Sequence, residues 1–242
     1  MLIILMYHQI HQVLQPQRIK LFKQHLEYLM RNFNICSLQN ISARKINLVL
    51  SFDDAYVDFY THIWPLLKKY GLPATLAVPT NWIQTVADIS LKQRLNIIYP
   101  QGLEAKTAKS QPLCTWGELA ELAQSHLINI AAHSHNHCNL THPGVDLAKE
   151  IVLPKNLLED KLKTKIDTFV FPFGATNKQV NAYTLSYYKY ALRIGGALNK
   201  SNGAGLLYRM DADRLWLNNN PLSATTILGL ASKYVLNRVR GK

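Results

Sequence analysis

Apolar runs of strand length alternate along the chain with stretches whose apolar residues recur every three or four positions. That alternation predicts repeated βα units around a parallel sheet. Strands are expected at residues 2–7, 47–52, 73–79, 127–132, 168–171, 190–194 and 206–210. Phe22, Leu26, Leu29 and Phe33 share one helical face, and so do Ile63, Leu66, Leu67 and Tyr70 on a helix that stops at Gly71 with Pro73 just beyond. Thr115-Trp-Gly-Glu118 has the form of a capping box opening a helix that carries Leu119 and Leu122 inward. A last helix is expected from about residue 223 to 238, with Ile227, Leu230, Ala231 and Tyr234 on one side. Residues 84–111 are polar and long for a connection, so they are either partly helical or a functional flap. No internal repeat, low-complexity tract or second domain boundary appears, and residues 1–242 read as one domain.

A chain of 242 residues suits a single α/β barrel. With 48% hydrophobic and 17% charged residues it has apolar material for a core and too little charge for a disordered chain. The net charge of +12 fits three anionic partners, namely nucleic acid, phospholipid headgroups or a phosphorylated glycan, and equally a generally basic, solvated surface. Dispersed basic residues and no recognition motif argue against nucleic acid. Cys36, Cys114 and Cys138 are odd in number and lack paired-ligand spacing, which points to reduced thiols and a cytoplasmic setting. The N-terminal run lacks a basic leader and a cleavage site, is too short to span a membrane, and reads as a first strand.

Three candidate sites follow three different expected strands at their C-terminal ends, where parallel α/β folds assemble active sites from loops. Adjacent Asp53 and Asp54 would repel unless a cation neutralised one of them, so a metal ligand beside a general base accounts for the pair; a helix N-cap is the other reading. His133 and His137 are spaced to converge on one ion, with His135 and His142 behind them or on the surface; solvated loop histidines are the alternative. Phe169-Val-Phe-Pro-Phe-Gly174 runs a strand into a turn that could set an aromatic wall and a backbone N–H beside a reacting carbonyl, or serve only as a turn. His133-Ser-His135 alone would suit an amidohydrolase, but no histidine follows His142.

Together and in order, these motifs resemble the polysaccharide deacetylase family, carbohydrate esterase family four. Ser51-Phe-Asp-Asp54, His133-Ser-His-Asn-His137 and Phe171-Pro-Phe-Gly174 carry the resemblance, which is nearest to the poly-N-acetylglucosamine deacetylase branch. The flanking Pro65–Thr75 and Thr115–Leu119 phrases extend it over residues 2–210. It implies a distorted (β/α)7 barrel and a metal-dependent hydrolase that removes an N-acetyl group from an amino sugar. By resemblance Asp53 is the general base, Asp54, His133 and His137 hold the metal, Phe173 is the backbone oxyanion donor, and Tyr7, Pro172 and Phe173 touch substrate. The general acid is His8, from the Tyr7-His8 step after the first strand.

Ala55 and Ser51 stand where the family has glycine and threonine, and the arginine that precedes the proline motif in many members is absent. A catalytically silent carbohydrate-binding or scaffold relative is the alternative function. One carboxylate and two imidazoles favour Zn²⁺, with Co²⁺, Ni²⁺ or Fe²⁺ able to use the same ligands. The expected partner is an amino-sugar polysaccharide or a lipid-linked glycan precursor, handled in the cytoplasm. The basic C-terminal helix either complements its own dipole or holds the protein peripherally at an anionic membrane surface.

Overall fold

The computed structural model describes residues 1–10, 17–42, 45–97, 111–199, 204–213, 215 and 222–239. All seven expected strands form: β1 (Leu2–Tyr7), β3 (Asn47–Phe52), β4 (Ala74–Val78), β5 (Ile128–Ala132), β6 (Thr168–Val170), β7 (Tyr190–Ile194) and β8 (Gly205–Asp211). They pair in parallel in the order β1-β8-β7-β6-β5-β4-β3, and β1 pairs again with β3 from Leu2↔Asn47 to Tyr7↔Phe52, which closes the ring. A two-residue strand that the sequence did not signal, β2 (Asn34–Ile35), lies on β3 at Asn47 and Leu48, outside the ring. The helices are α1 (Gln17–Asn32), α2 (Trp64–Tyr70), α3 (Leu91–Asn96), α4 (Trp116–Ala123), α5 (Leu153–Leu162), α6 (Lys178–Leu185) and α7 (Ala224–Val239). The architecture is the expected distorted (β/α)7 barrel. Of the 84–111 stretch, α3 is helical, and residues 98–110, like the cations Arg240 and Lys242, lie outside the described residues.

The period-two alternation of each strand divides the core. One set of side chains, including Leu50, Phe52 and Leu76, joins Phe22, Leu26 and Leu29 of α1 in the layer between sheet and helices. The other set, Leu2, Ile4, Val49, Ala77, Ala131, Val170, Leu192 and Leu207, fills the lumen. Continuing the lumen parity past the strand ends reaches His8 from Ile4, Asp53 from Val49 and His133 from Ala131, and within β8 it reaches Arg209 from Leu207. The same alternation that packs the barrel therefore brings its polar residues to the C-terminal mouth.

Two π-helical turns, Phe59–Ile63 and Ala148–Val152, each run into a helix with proline in its first turn, Pro65 and Pro154. Proline cannot donate to the preceding turn and its ring crowds that turn's carbonyl, so a widened turn relieves both demands.

β1 and β8 pair only at Leu5↔Met210 and Met6↔Asp211. Below that point Asn199 fills the gap. Its backbone exchanges hydrogen bonds with Leu2 at 3.1 and 2.9 Å, while its side-chain amide donates to Tyr208 C=O and accepts from Tyr208 N–H, both at 2.8 Å. One buried side chain thus replaces a missing length of β-ladder. Asn199→Ala would strand the Tyr208 N–H and C=O in the core, and we expect it to cost about 2–4 kcal/mol in urea unfolding. A change below about 0.5 kcal/mol would mean the seam does not depend on that amide.

Candidate metal centre and its acid–base partners

Asp53 N–H donates to Tyr7 C=O at 2.8 Å, extending the β1–β3 ladder by one rung. The chain then turns through two left-handed residues, Asp54 (φ 68°) and Ala55 (φ 54°). Tyr56 lies in a β-bridge and the following helical turn starts at Val57, so neither Asp53 nor Asp54 is its N-cap. The adjacent carboxylates find different partners. Both oxygens of Asp53 accept from Arg209 of β8, at 2.6 and 2.9 Å, and the same guanidinium donates to Ser51 Oγ at 3.1 Å. Asp54 Oδ1 faces the histidines, 3.2 Å from His137 Nε2 and 3.6 Å from His133 Nε2.

His133 N–H continues the ladder to Val78 C=O, and its Nδ1 lies 2.8 Å from Val170 C=O. A carbonyl only accepts, so Nδ1 carries the proton and Nε2 keeps its lone pair for a ligand. Burial depresses the His133 pKa to about 4, against the raising pull of Asp53 and Asp54, so the ring is neutral at physiological pH. The histidine loop is tightly turned, with Ser134 at φ 59° and His137 at φ 52°. Glu150, buried on the second π-helical turn, braces it by accepting from the His135 and Asn136 N–H groups at 3.1 and 2.8 Å and from the Asn136 side chain. His135 shares a hydrogen bond with Thr80 Oγ1 at 2.9 Å, and His142 is exposed.

Ligand atoms of Asp54, His133 and His137 lie within 4.8 Å of one another. Asp54 Oδ1 is buried with no hydrogen-bond partner among the described residues. Burial opposes the charge of Asp54, yet the nearby histidines hold its pKa below the usual carboxylate range. An ionised, buried oxygen facing two imidazoles fits a divalent cation.

Beside this cluster His8 Nε2 stands 4.0 Å from Asp53 Oδ2. Asp213, in the turn after β8, holds His8 twice, accepting from its backbone N–H at 2.8 Å and from Nδ1 at 2.7 Å. Burial lowers the His8 pKa, but the Asp213 hydrogen bond and the charges of Asp53, Asp54 and Asp213 outweigh it and raise the value to about 9. For Asp53 burial acts upward and the Arg209 guanidinium downward, and the guanidinium wins. The mouth therefore holds a carboxylate and an imidazolium side by side.

Two expected contacts need correction. Tyr7 does not reach a substrate: it is fully buried, stacks on Phe52 at 5.1 Å and shares a hydrogen bond with His25 Nε2 at 2.7 Å, because its lumen-opposed parity sends it under α1. Pro172 is also buried and shapes the turn without presenting a surface. Phe173 alone of the three is open, 65% exposed, with φ 58° and its ring 4.9 Å from that of His137, while Trp82 contacts His137 from another side. Gly174 keeps this turn seated, since a Cβ there would lie 2.7 Å from Ile194 Cβ at a φ of +64°.

The family model described as polysaccharide deacetylase matches residues 40–191, more than half of the chain. The chain belongs to the polysaccharide deacetylase family. A curated relative, the poly-beta-1,6-N-acetyl-D-glucosamine N-deacetylase of Escherichia coli strain K12, is 27% identical over 158 residues, covering 54% of this chain and 22% of that protein. The chain therefore corresponds to a minor part of that relative's length. Solved structures of the same fold include a de-N-acetylase from Aggregatibacter actinomycetemcomitans (TM-score 0.71, 20% identity, covering 95% of this chain and 99% of that one). IcaB from Ammonifex degensii (0.71, 17%, 96% of each chain) and the Streptococcus pyogenes deacetylase PplD (0.67, 23%, 95% and 97%) share it too.

Arg209, Asp213 and Glu150 were missed as site residues by sequence reasoning. Arg209 had a signal: a charge inside the apolar run Leu206-Leu-Tyr-Arg-Met210 must find a buried partner. Asp213 had a weaker one, being the second of two carboxylates just past a strand. The His8–Asp213 contact makes stability pH-dependent. The His8 pKa is raised in the folded chain, so its contribution is complete below about pH 6.5 and is lost as pH rises towards about 9. In metal-stripped protein the denaturation midpoint should fall between these pH values, and Asp213→Asn should flatten that fall. An unchanged slope in the variant would dissociate His8 from Asp213.

Proposed function

We propose that this chain is a metal-dependent N-deacetylase acting on an N-acetylglucosamine-containing glycan. The observation that carries the reading is the pairing of an orphaned, buried Asp54 oxygen and two imidazoles with a separate Asp53–His8 acid–base couple at one barrel mouth. The curated Escherichia coli relative supports the substrate class, and Phe173 and Trp82 supply aromatic faces on which a sugar ring can lie. Ala55 holds a left-handed backbone despite its Cβ, which supports an active site over a silent glycan-binding relative.

Asp54, His133 and His137 would hold the ion, and one carboxylate with two imidazoles favours zinc. Bound there, it would supply Lewis acidity and lower the pKa of water towards about 7. Asp53, ionised and aimed by Arg209, accepts the proton of the attacking water. Charge develops on the amide oxygen, where the Phe173 N–H donates, an interaction of about 3 kcal/mol in comparable sites. His8, protonated and fixed by Asp213, gives its proton to the leaving nitrogen, without which an amine anion would have to depart.

Asp53→Asn should keep metal and lose turnover, whereas His133→Ala should lose both. Metal content by mass spectrometry and acetate release from β-1,6-linked N-acetylglucosamine oligomers check the pair, and equal metal loss in the two would refute the division of roles.

The odd, unpaired cysteines support a cytoplasmic setting, and with it a lipid-linked glycan precursor as substrate. On α7, Leu228 is 69% and Leu236 49% exposed beside exposed Lys233, which with the net charge of +12 supports peripheral docking on anionic lipid. Co-sedimentation with anionic but not zwitterionic vesicles is the expected result, and equal recovery with both would remove the membrane from the proposal. Among the described residues no helix is long and apolar enough to cross a membrane.

A further inference from the structure

Arg94, on α3 outside the barrel, is buried at 4% exposure, and its position has no counterpart in the acid–base machinery. Its guanidinium forks onto Glu118 of α4, Nη1 to Oε1 at 2.8 Å and Nη2 to Oε2 at 2.7 Å. Two more donations go to main-chain carbonyls, from Nε to Gln111 at 3.3 Å and from Nη2 to Leu113. Glu118 Oε2 also accepts from Thr115 N–H at 2.7 Å, closing the capping box of α4. One cation thereby fixes a short strap, residues 111–115, against two helices.

The strap is bonded to the carboxylate loop. Cys114 N–H donates to Ala55 C=O and Val57 N–H donates to Pro112 C=O, both at 2.8 Å, and Tyr56 pairs with Leu113 as an antiparallel bridge. Ala55 is the second of two consecutive left-handed residues, a conformation that costs a residue with a Cβ more than glycine. Such backbone persists only where its surroundings over-determine it. The bonds at 112–114 are those surroundings, and Arg94 holds them in place. At its other end α3 is tied to the His8 side of the site, where Gln9 Nε2 donates to Ile97 C=O at 2.9 Å.

We propose that Arg94 is a positioning residue for the metal centre: through the 111–115 strap it keeps Ala55, and with it Asp54, in the left-handed turn that aims the carboxylate at His133 and His137. The proposal rests on the metal-centre reading above. It involves no contact between Arg94 and substrate or ion.

The test is a double-mutant cycle with Arg94→Met and Ala55→Gly, read by Zn²⁺ affinity, turnover and amide hydrogen exchange. Arg94→Met should weaken Zn²⁺ binding and turnover at least about tenfold, in the range found for residues that orient ligands from behind. It should also speed exchange at the Val57 and Cys114 amides. Ala55→Gly in that background should recover most of the lost affinity, because glycine holds a positive φ without the strap; the same change in the parent sets the baseline for the relief of left-handed strain, and the recovery with Arg94→Met should exceed it. Glu118→Gln, which keeps Arg94 but removes the carboxylate charge and one arm of the fork, serves as the second variant if Arg94→Met folds poorly. Parental Zn²⁺ affinity in Arg94→Met, or a loss that Ala55→Gly does not recover, would overturn the proposal. A parent chain that binds no Zn²⁺ would overturn the metal-centre reading instead, and the exchange at Val57 and Cys114 would still decide whether Arg94 holds the loop.

Discussion

The ion pair between Arg209 and Asp53 organises the mouth of this barrel. Arg209 has no exposure, and a guanidinium at that depth persists only if a carboxylate meets it in good geometry. Two adjacent aspartates at the end of β3 could both turn towards one cation. The fork commits Asp53 to the protein's own charge and leaves Asp54 for an external one. The pair also keeps Asp53 ionised in a site from which water is largely removed, at the cost of making it a weaker base. His8, 4.0 Å away, inherits a negative neighbour on one side and Asp213 on the other, and its raised pKa follows.

Geometry reaches the site through strand parity. The lumen rows of β1, β3 and β5 lead into His8, Asp53 and His133, and that of β8 contains Arg209, so the packing that fills the barrel with Val49, Ala131 and Leu207 also decides which side chains meet. Three of the segments that leave the mouth are then held by further contacts. Glu150 braces the histidine loop and the 111–115 strap holds the aspartate loop, while Asp213 grips the backbone after β1. The left-handed residues Asp54, Ala55, Ser134 and His137 are concentrated in the aspartate and histidine loops, where local preference is overruled by such contacts.

The strands were legible because their lumen and outer rows are both apolar, which leaves long uninterrupted runs. Strand β2 was not, since two residues carry no period, and α5 and α6 were not because their apolar faces are weak. Asp53, Asp54, His133 and His137 stood out through density: ionisable groups gathered just past apolar strands. Their supporting residues did not. Asp213 and Arg209 meet His8 and Asp53 across separations of 205 and 156 residues, and only ring closure makes them neighbours. Tyr7 was assigned to the substrate by resemblance, whereas adjacent strand residues point to opposite faces and Tyr7 faces away from His8.

The seam between β1 and β8 joins the first and the last strand of the described residues. Asp53, Asp54, His133 and His137 all lie within the first 137 residues, yet what fixes them comes later: Val170 and Glu150 hold the histidine loop, and Arg209 forks onto Asp53. The groups that make up the candidate centre and the groups that aim them are thus separated along the chain, and closure of the ring is what joins the two sets.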